Sequence, residues 1–140
     1  MLFRSPVHRI HADCHHGNLL FGREGWFFLD FDDLRVGPAV QDVWLLVPDR
    51  DQAGQEQRKL FVEAYRQFRP FEPRWLALVE PLRGLRYIHY AAWIARRWND
   101  PAFPASFPHF DTERYWDTEV RDLEEQAELC ERIADEATSG

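Results

Sequence analysis

Hydrophobic and polar positions follow two different periods along the chain, and the change of period organises it. Near the start, Leu19-Leu20-Phe21 is a short apolar run, and Trp26-Phe27-Phe28-Leu29-Asp30-Phe31 is a second one rich in aromatic rings. Gly22-Arg23-Glu24-Gly25 lies between them. Two such runs about a glycine-bearing turn predict a β-hairpin. Gly37-Pro38 then punctuates the chain, and Val40 to Val47 reads as a short buried helix.

Beyond that point the period is helical. Gln52 to Phe68 carries Leu60, Phe61, Ala64, Tyr65 and Phe68 at helical spacing, bounded by Pro70 and Pro73. Arg74 to Trp98 predicts a long helix that Pro81 breaks or kinks near its first third. Leu82, Leu85, Ile88, Ala92 and Ala95 mark one of its faces, and Asn99-Asp100-Pro101 ends it. Trp116, Val120, Leu123, Ala127, Cys130 and Ala134 recur at steps of four and three. They predict an amphipathic helix with an acidic outer face, followed by a tail from Ala137 to Gly140 that frays. The sum is a mainly α chain with a small β-hairpin, an α+β arrangement of loop and hairpin on about four or five helices. No repeat or low-complexity tract interrupts it, and residues 1–140 read as a single domain.

Composition narrows the function. Six Trp and eleven Phe predict a core rich in large rings. A formal net charge of −7 argues against a nucleic-acid binder, which normally shows a basic patch. No apolar run reaches the roughly 18 residues of a membrane span. Met1 to Pro6 lacks the apolar stretch of a signal peptide. Cys14 and Cys130 are far apart, form no CxxC pair, and read as reduced thiols of a cytoplasmic protein.

The chemistry lies in two segments, His11-Ala12-Asp13-Cys14-His15-His16-Gly17-Asn18 and Leu29-Asp30-Phe31-Asp32-Asp33. The hairpin joins them. Its strands pair side by side, so the loop before the first strand comes close to the end of the second. Asp13, Asn18 and Asp30 therefore converge, although 17 positions separate the two aspartates. One carboxylate can take a proton from an attacking hydroxyl. A second carboxylate and an amide oxygen are hard ligands suited to Mg²⁺, which bridges nucleotide phosphates. Phosphoryl transfer to an alcohol asks for that set. Two other readings compete. Asp13 and Asn18 can serve as turn residues, and His8, His11, Asp13, His15 and His16 superficially outline a zinc cluster, which would leave Asn18 and Asp30 without a role.

The segment His11-x-Asp13-x-His15-x-Gly17-Asn18, followed by Leu29-Asp30-Phe31-Asp32-Asp33, resembles the catalytic loop of the aminoglycoside-phosphotransferase-like kinase family, relatives of the protein kinases. Gly37-Pro38-Ala39-Val40-Gln41-Asp42-Val43-Trp44, Glu80-Pro81-Leu82-Arg83, Arg96-Arg97-Trp98 and Asp100-Pro101-Ala102-Phe103-Pro104 are similar to its bacterial stress-response subgroup. The resemblance implies the C-terminal lobe of a protein-kinase-like fold. It implies Asp13 as catalytic base and Asn18 and Asp30 as Mg²⁺ ligands. It implies that His11 holds the loop's shape, that His15 contacts the transferred phosphate, and that Asp42 braces the loop from the start of its helix. ATP is the implied co-substrate. The acceptor is a protein Ser or Thr in the stress-response subgroup and a small-molecule alcohol in the wider family. Asp32 reads as a second metal ligand or, more readily, as a helix cap or solvated turn.

The chain departs from the family pattern at Ala12, where glycine is common, and at His16, where proline is common. An alanine implies an ordinary φ at position 12. Phe31-Asp32 stands where Phe-Gly is familiar. The family's ATP-clamping lobe carries a strand-borne lysine. Only ten residues precede His11 here, the single lysine is Lys59 in a surface-type helix, and no Gly-rich phosphate loop is present. The expectation is an ATP- and Mg²⁺-dependent phosphotransferase lobe whose N-terminal partner lobe is supplied in cis or in trans. The alternative is a kinase remnant acting as a non-catalytic binding module. Arg96-Arg97 reads as a solvated helix face paired with acids, and His8, His16, His89 and His109 as surface or packing groups.

Overall fold

A strand that the apolar pattern does not announce begins the described chain. The computed structural model describes residues 5–139, with the side chains of 137–139 excluded; Met1 to Arg4, on which the signal-peptide reading rests, and Gly140 lie outside the described residues. Four short strands form two antiparallel pairs: β1 (Val7–Ile10), β2 (Leu19–Gly22), β3 (Gly25–Phe28) and β4 (Arg35–Pro38). β2 and β3 make the predicted hairpin, with Leu19 opposite Phe28 and Gly22 opposite Gly25. β1 pairs with β4, Val7 opposite Pro38 and Ile10 opposite Arg35, and so staples together the two ends of the segment that carries the chemistry. Gly37-Pro38 is thus the end of a strand rather than a break. Pro38 lacks a donor and is tolerated because it closes an edge strand.

Five helices follow: α1 (Val40–Leu46), α2 (Gln52–Tyr65), α3 (Val79–Arg96), α4 (Ala102–Ser106) and α5 (Glu113–Ser139). The chain divides into two compact units, one ending at Val79 and the other beginning at Glu80. The boundary falls where a 3-10 turn, Pro73–Leu78, gives way to α3. The long helix expected from Arg74 is thus divided just before Pro81, and α3 itself begins at Val79. Pro81 sits in the first turn, where its missing N–H would have had no partner.

In the first unit, Val40, Val43, Trp44 and Leu45 of α1 are buried with Val62, Phe71 and Trp75. Phe71 packs edge-on against Tyr65 and Trp75, at 5.9 and 5.2 Å between ring centres. The buried line of α2 is Gly54, Arg58 and Val62, while Leu60, Ala64 and Phe68 of the predicted apolar stripe face outward, Phe68 at 85% exposure. Burying Arg58 is feasible because its guanidinium donates to the carbonyls of Val47 and Asp49.

The second unit is built on rings, as the composition predicts. Ala91, Ile94 and Phe110 form its core, with Trp93, Trp98, Phe103, Phe107 and Tyr115 packed around them. Leu85 and Ile88, assigned by spacing to the inner face of α3, are exposed. Glu80 and Arg83 are buried in their place, Arg83 on the Glu80 carboxylate at 3.2 Å and Gln126 of α5 donating to the same oxygen at 3.0 Å. Arg97 lies over the Trp93 ring at 4.9 Å, a cation–π contact in place of the expected pairing with an acid. α5 stays helical to Ser139, through most of the tail read as frayed. No helix among the described residues is long and apolar enough to cross a membrane.

Candidate active site

The loop from His11 to Asn18 is held by a carboxylate behind it. The amides of His11 and Ala12 both donate to Asp42, each at 2.8 Å. Asp42 lies in the first turn of α1. Burial pushes its carboxyl above the ordinary value, outweighing the two amide bonds and the nearby histidines, which pull it down. With two successive amides aimed at one carboxylate, Ala12 takes a φ of +70°. That corrects the ordinary φ expected for alanine. The left-handed region costs a non-glycine residue about 1–2 kcal/mol. Bonds to a charged acceptor are worth roughly 1.5–3 kcal/mol each, so the brace outweighs the strain.

His11 ties this loop to the far end of the hairpin. Its ring is 7% exposed, Nε2 donates to the Leu29 carbonyl at 2.8 Å, and the ring meets Phe31 at 4.8 Å. Its Nδ1 is buried with no hydrogen-bond partner among the described residues. The ring is thus enclosed between the loop and the end of the hairpin. His8, read as a surface group, is hydrogen-bonded through Nε2 to the Tyr65 hydroxyl at 3.0 Å. With those nitrogens engaged, the zinc cluster is not assembled, and no group of three or more His, Cys, Asp or Glu is placed to hold a metal among the described residues.

Asn18 reaches back across the loop. Its Nδ2 donates to the Asp13 carbonyl at 2.9 Å and to Asp13 Oδ2 at 3.3 Å. Committing the NH₂ group to Asp13 leaves the amide oxygen, a hard donor, for a cation. The Leu29 amide donates to the Asn18 carbonyl at 2.9 Å, which places Asp30 one residue beyond a backbone bond to Asn18. Asp30 has a φ of 58°. This left-handed residue turns the chain out of the ladder, and the strand predicted to run to Phe31 ends at Phe28. Phe31 to Leu34 is a β-turn closed by a 3.0 Å bond, with Asp32 and Asp33 at its exposed centre. Asp33 pairs with Arg35 at 2.9 Å, and Asp32 caps no helix.

His15 folds over its own loop. Its Nδ1 accepts from the Gly17 amide at 3.0 Å and its Nε2 lies 3.3 Å from Asp13 Oδ2. Gly17 is the residue that sequence reasoning passed over. A Cβ there would come within 2.9 Å of His15 Cε1, so the ring rests where a side chain would be. His16 is exposed beside it. Behind the loop is an apolar cavity of about 500 Å³, lined by Ile10, Cys14, Phe31, Val43, Phe61 and Tyr65 among others. Asp13, His15, Asn18 and Asp30 do not line it, so the cavity and the polar cluster are separate features.

The sequence profile described as "Phosphotransferase enzyme family" matches residues 2–79, the part that contains the loop, the hairpin and Asp42. The chain is 46% identical over 126 residues to "Stress response kinase A" of Escherichia coli (strain K12), covering 89% of this chain and 38% of that protein. It is 42% identical over 121 residues to the protein of the same name from Salmonella paratyphi A, covering 86% and 37%. It is 44% identical over 122 residues to "Serine/threonine protein kinase RdoA" of Salmonella typhimurium, again covering 86% and 37%. The chain therefore spans little more than a third of the length of these relatives. Because the family profile covers more than half of this chain, loop and brace included, the chain belongs to the phosphotransferase enzyme family.

Proposed function

We propose that the loop and hairpin form the phosphoryl-transfer side of an ATP- and Mg²⁺-dependent kinase, acting on a hydroxyl of a protein Ser or Thr in a stress response. The observation that carries this reading is the convergence of Asn18 Nδ2 and His15 Nε2 on Asp13 Oδ2, with Asp30 delivered beside Asn18 by the hairpin. Asp13 acts as the general base, oriented by the Asn18 amide, and accepts the proton of the attacking hydroxyl. The Asn18 amide oxygen and the Asp30 carboxylate fit a hard cation that keeps most of its water. Bound there, Mg²⁺ would offset the charge that develops on the transferred group. His11 and Asp42 keep the loop in shape. The name of the Salmonella typhimurium relative supports the protein Ser/Thr acceptor, the name of the Escherichia coli one supports the stress response, and a small-molecule alcohol is the other acceptor class. The proposal includes an ATP-clamping lobe supplied in cis or in trans. It includes a cytoplasmic location, in keeping with two free cysteines.

A second reading, a non-catalytic module that docks on a partner, draws on exposed apolar residues on both faces of the hairpin, Phe21 and Trp26 on one and Leu20 and Phe27 on the other. Transfer of the ATP γ-phosphate separates the two. It is measured on the chain alone and with the remaining segment of a relative added in trans, for protein and small-alcohol acceptors. Asp13→Asn nearly abolishes transfer while leaving the circular dichroism spectrum unchanged. Wild-type rates in that variant sink the kinase assignment, and inactivity of the wild type in both preparations shifts the reading to the docking module.

A further inference from the structure

Asn18 donates to Asp13 Oδ2, and the His15 ring, which comes close to the same oxygen, is itself held in place. His15 Nδ1 accepts the Gly17 N–H at 3.0 Å. A ring nitrogen that accepts carries no proton, so the proton of the ring is on Nε2. Nε2 lies 3.3 Å from Asp13 Oδ2. The backbone amide of His15 also donates to the Asp13 carbonyl at 2.9 Å, which fixes the distance between the two residues. Gly17 adds an independent observation. Nothing in its backbone angle demands glycine, yet a Cβ would meet both Cε1 at 2.9 Å and Nδ1 at 3.0 Å of the His15 ring. The glycine at this position keeps space for an imidazole lying flat over the loop.

We propose that His15 is a positioning residue: held as its Nε2–H tautomer by the Gly17 amide, it donates to Asp13 Oδ2 and sets the rotamer of the base, in place of contacting the transferred phosphate. This role rests on the reading of Asp13 as the base. Asn18 donates to the same oxygen and holds Asp13 from the other end of the loop. The pair of donors fixes a two-torsion carboxylate that a single weak bond would leave free. Swinging the ring outward to a phosphate would break its bond to the Gly17 amide, take Nε2 away from Asp13 Oδ2 and open a void against Gly17.

The test is the imidazole tautomer of His15 in this chain, read from long-range proton–nitrogen correlations and assigned with His15→Gln. The expected result is a single Nε2–H tautomer whose proton is slowed in exchange with water. Gly17→Ala displaces the ring and gives a mixture of tautomers. Asp13→Ala keeps the tautomer but speeds the exchange, and serves as the second variant should Gly17→Ala fail to fold. An Nδ1–H or averaged ring in the wild type overturns the proposal. With the remaining segment of a relative added in trans, His15→Gln leaves Mg·ATP affinity unchanged; a loss of about tenfold, as removal of a phosphate contact gives, also overturns it. Failure of the wild type to bind Mg·ATP even with the remaining segment of a relative added in trans counts against the phosphotransferase reading, and the tautomer still decides the role of His15.

Discussion

Replacing Asp42 by asparagine probes the brace on which the loop depends. Asparagine retains one acceptor oxygen in place of two, so either His11 N–H or Ala12 N–H comes to face an NH₂ group. A buried donor left without an acceptor costs about 1–3 kcal/mol. The surviving bond loses its charge assistance, a further loss of about 1 kcal/mol. Opposing these, a neutral amide is easier to bury than the carboxylate, whose raised pKa records the cost of its burial. The expected net loss is roughly 1–3 kcal/mol at pH 7, read by urea unfolding. Relaxation of Ala12 from φ +70°, followed by backbone scalar couplings, accompanies it. Glycine at position 12 has no strain to release, so Asp42→Asn should cost more in the Ala12→Gly background, by up to about 1–2 kcal/mol. A variant within about 0.5 kcal/mol of the wild type, with the Ala12 couplings unchanged, would refute the brace.

Burial, and then the charges of Asp42 and Asp13, push the Cys14 thiol up to about 11. At pH 8 that lowers its thiolate fraction about ninetyfold relative to an ordinary thiol of pKa 9.0, so alkylation of Cys14 should be slow in the folded chain and fast after unfolding. A raised folded pKa contributes stability below the unfolded value and loses it as pH rises through the folded one. The loss from Cys14 therefore runs from about pH 9 to 11, and Cys14→Ala removes it. Tyr65 and Tyr115, also raised chiefly by burial, add a loss of the same sign that the variant retains. On α2, Val62→Ala should cost about 1–3 kcal/mol and Phe68→Ser less than about 0.5, by thermal or urea unfolding. The reverse order would show that the apolar stripe, and not the Val62 line, faces the core.

Sequence and structure divide the protein in an intelligible way. Local chemistry was readable. The hairpin about Gly22-Arg23-Glu24-Gly25, the short helix after Pro38 and the helical period of α2 and α3 follow from turn residues and spacing, which act over a few residues. The approach of the two segments also follows, since strand pairing sets the Leu29 amide on the Asn18 carbonyl whatever surrounds them. The inner faces of the helices were not readable. Leu60, Phe68, Leu85 and Ile88 have the right spacing and face outward, while Arg58, Glu80, Arg83 and Gln126 are buried. Spacing reports that a helix has a stripe, but which stripe is covered depends on what is folded against it, and a buried polar group is stable only when distant carbonyls or carboxylates meet it. The β1–β4 pair has the same origin, joining residues 7–10 to 35–38 through backbone bonds that leave little trace in side-chain pattern. The left-handed Ala12 is the clearest case. Alanine alone predicts an ordinary φ, and only the Asp42 carboxylate, thirty residues on and holding two amides at once, makes the strained conformation the stable one.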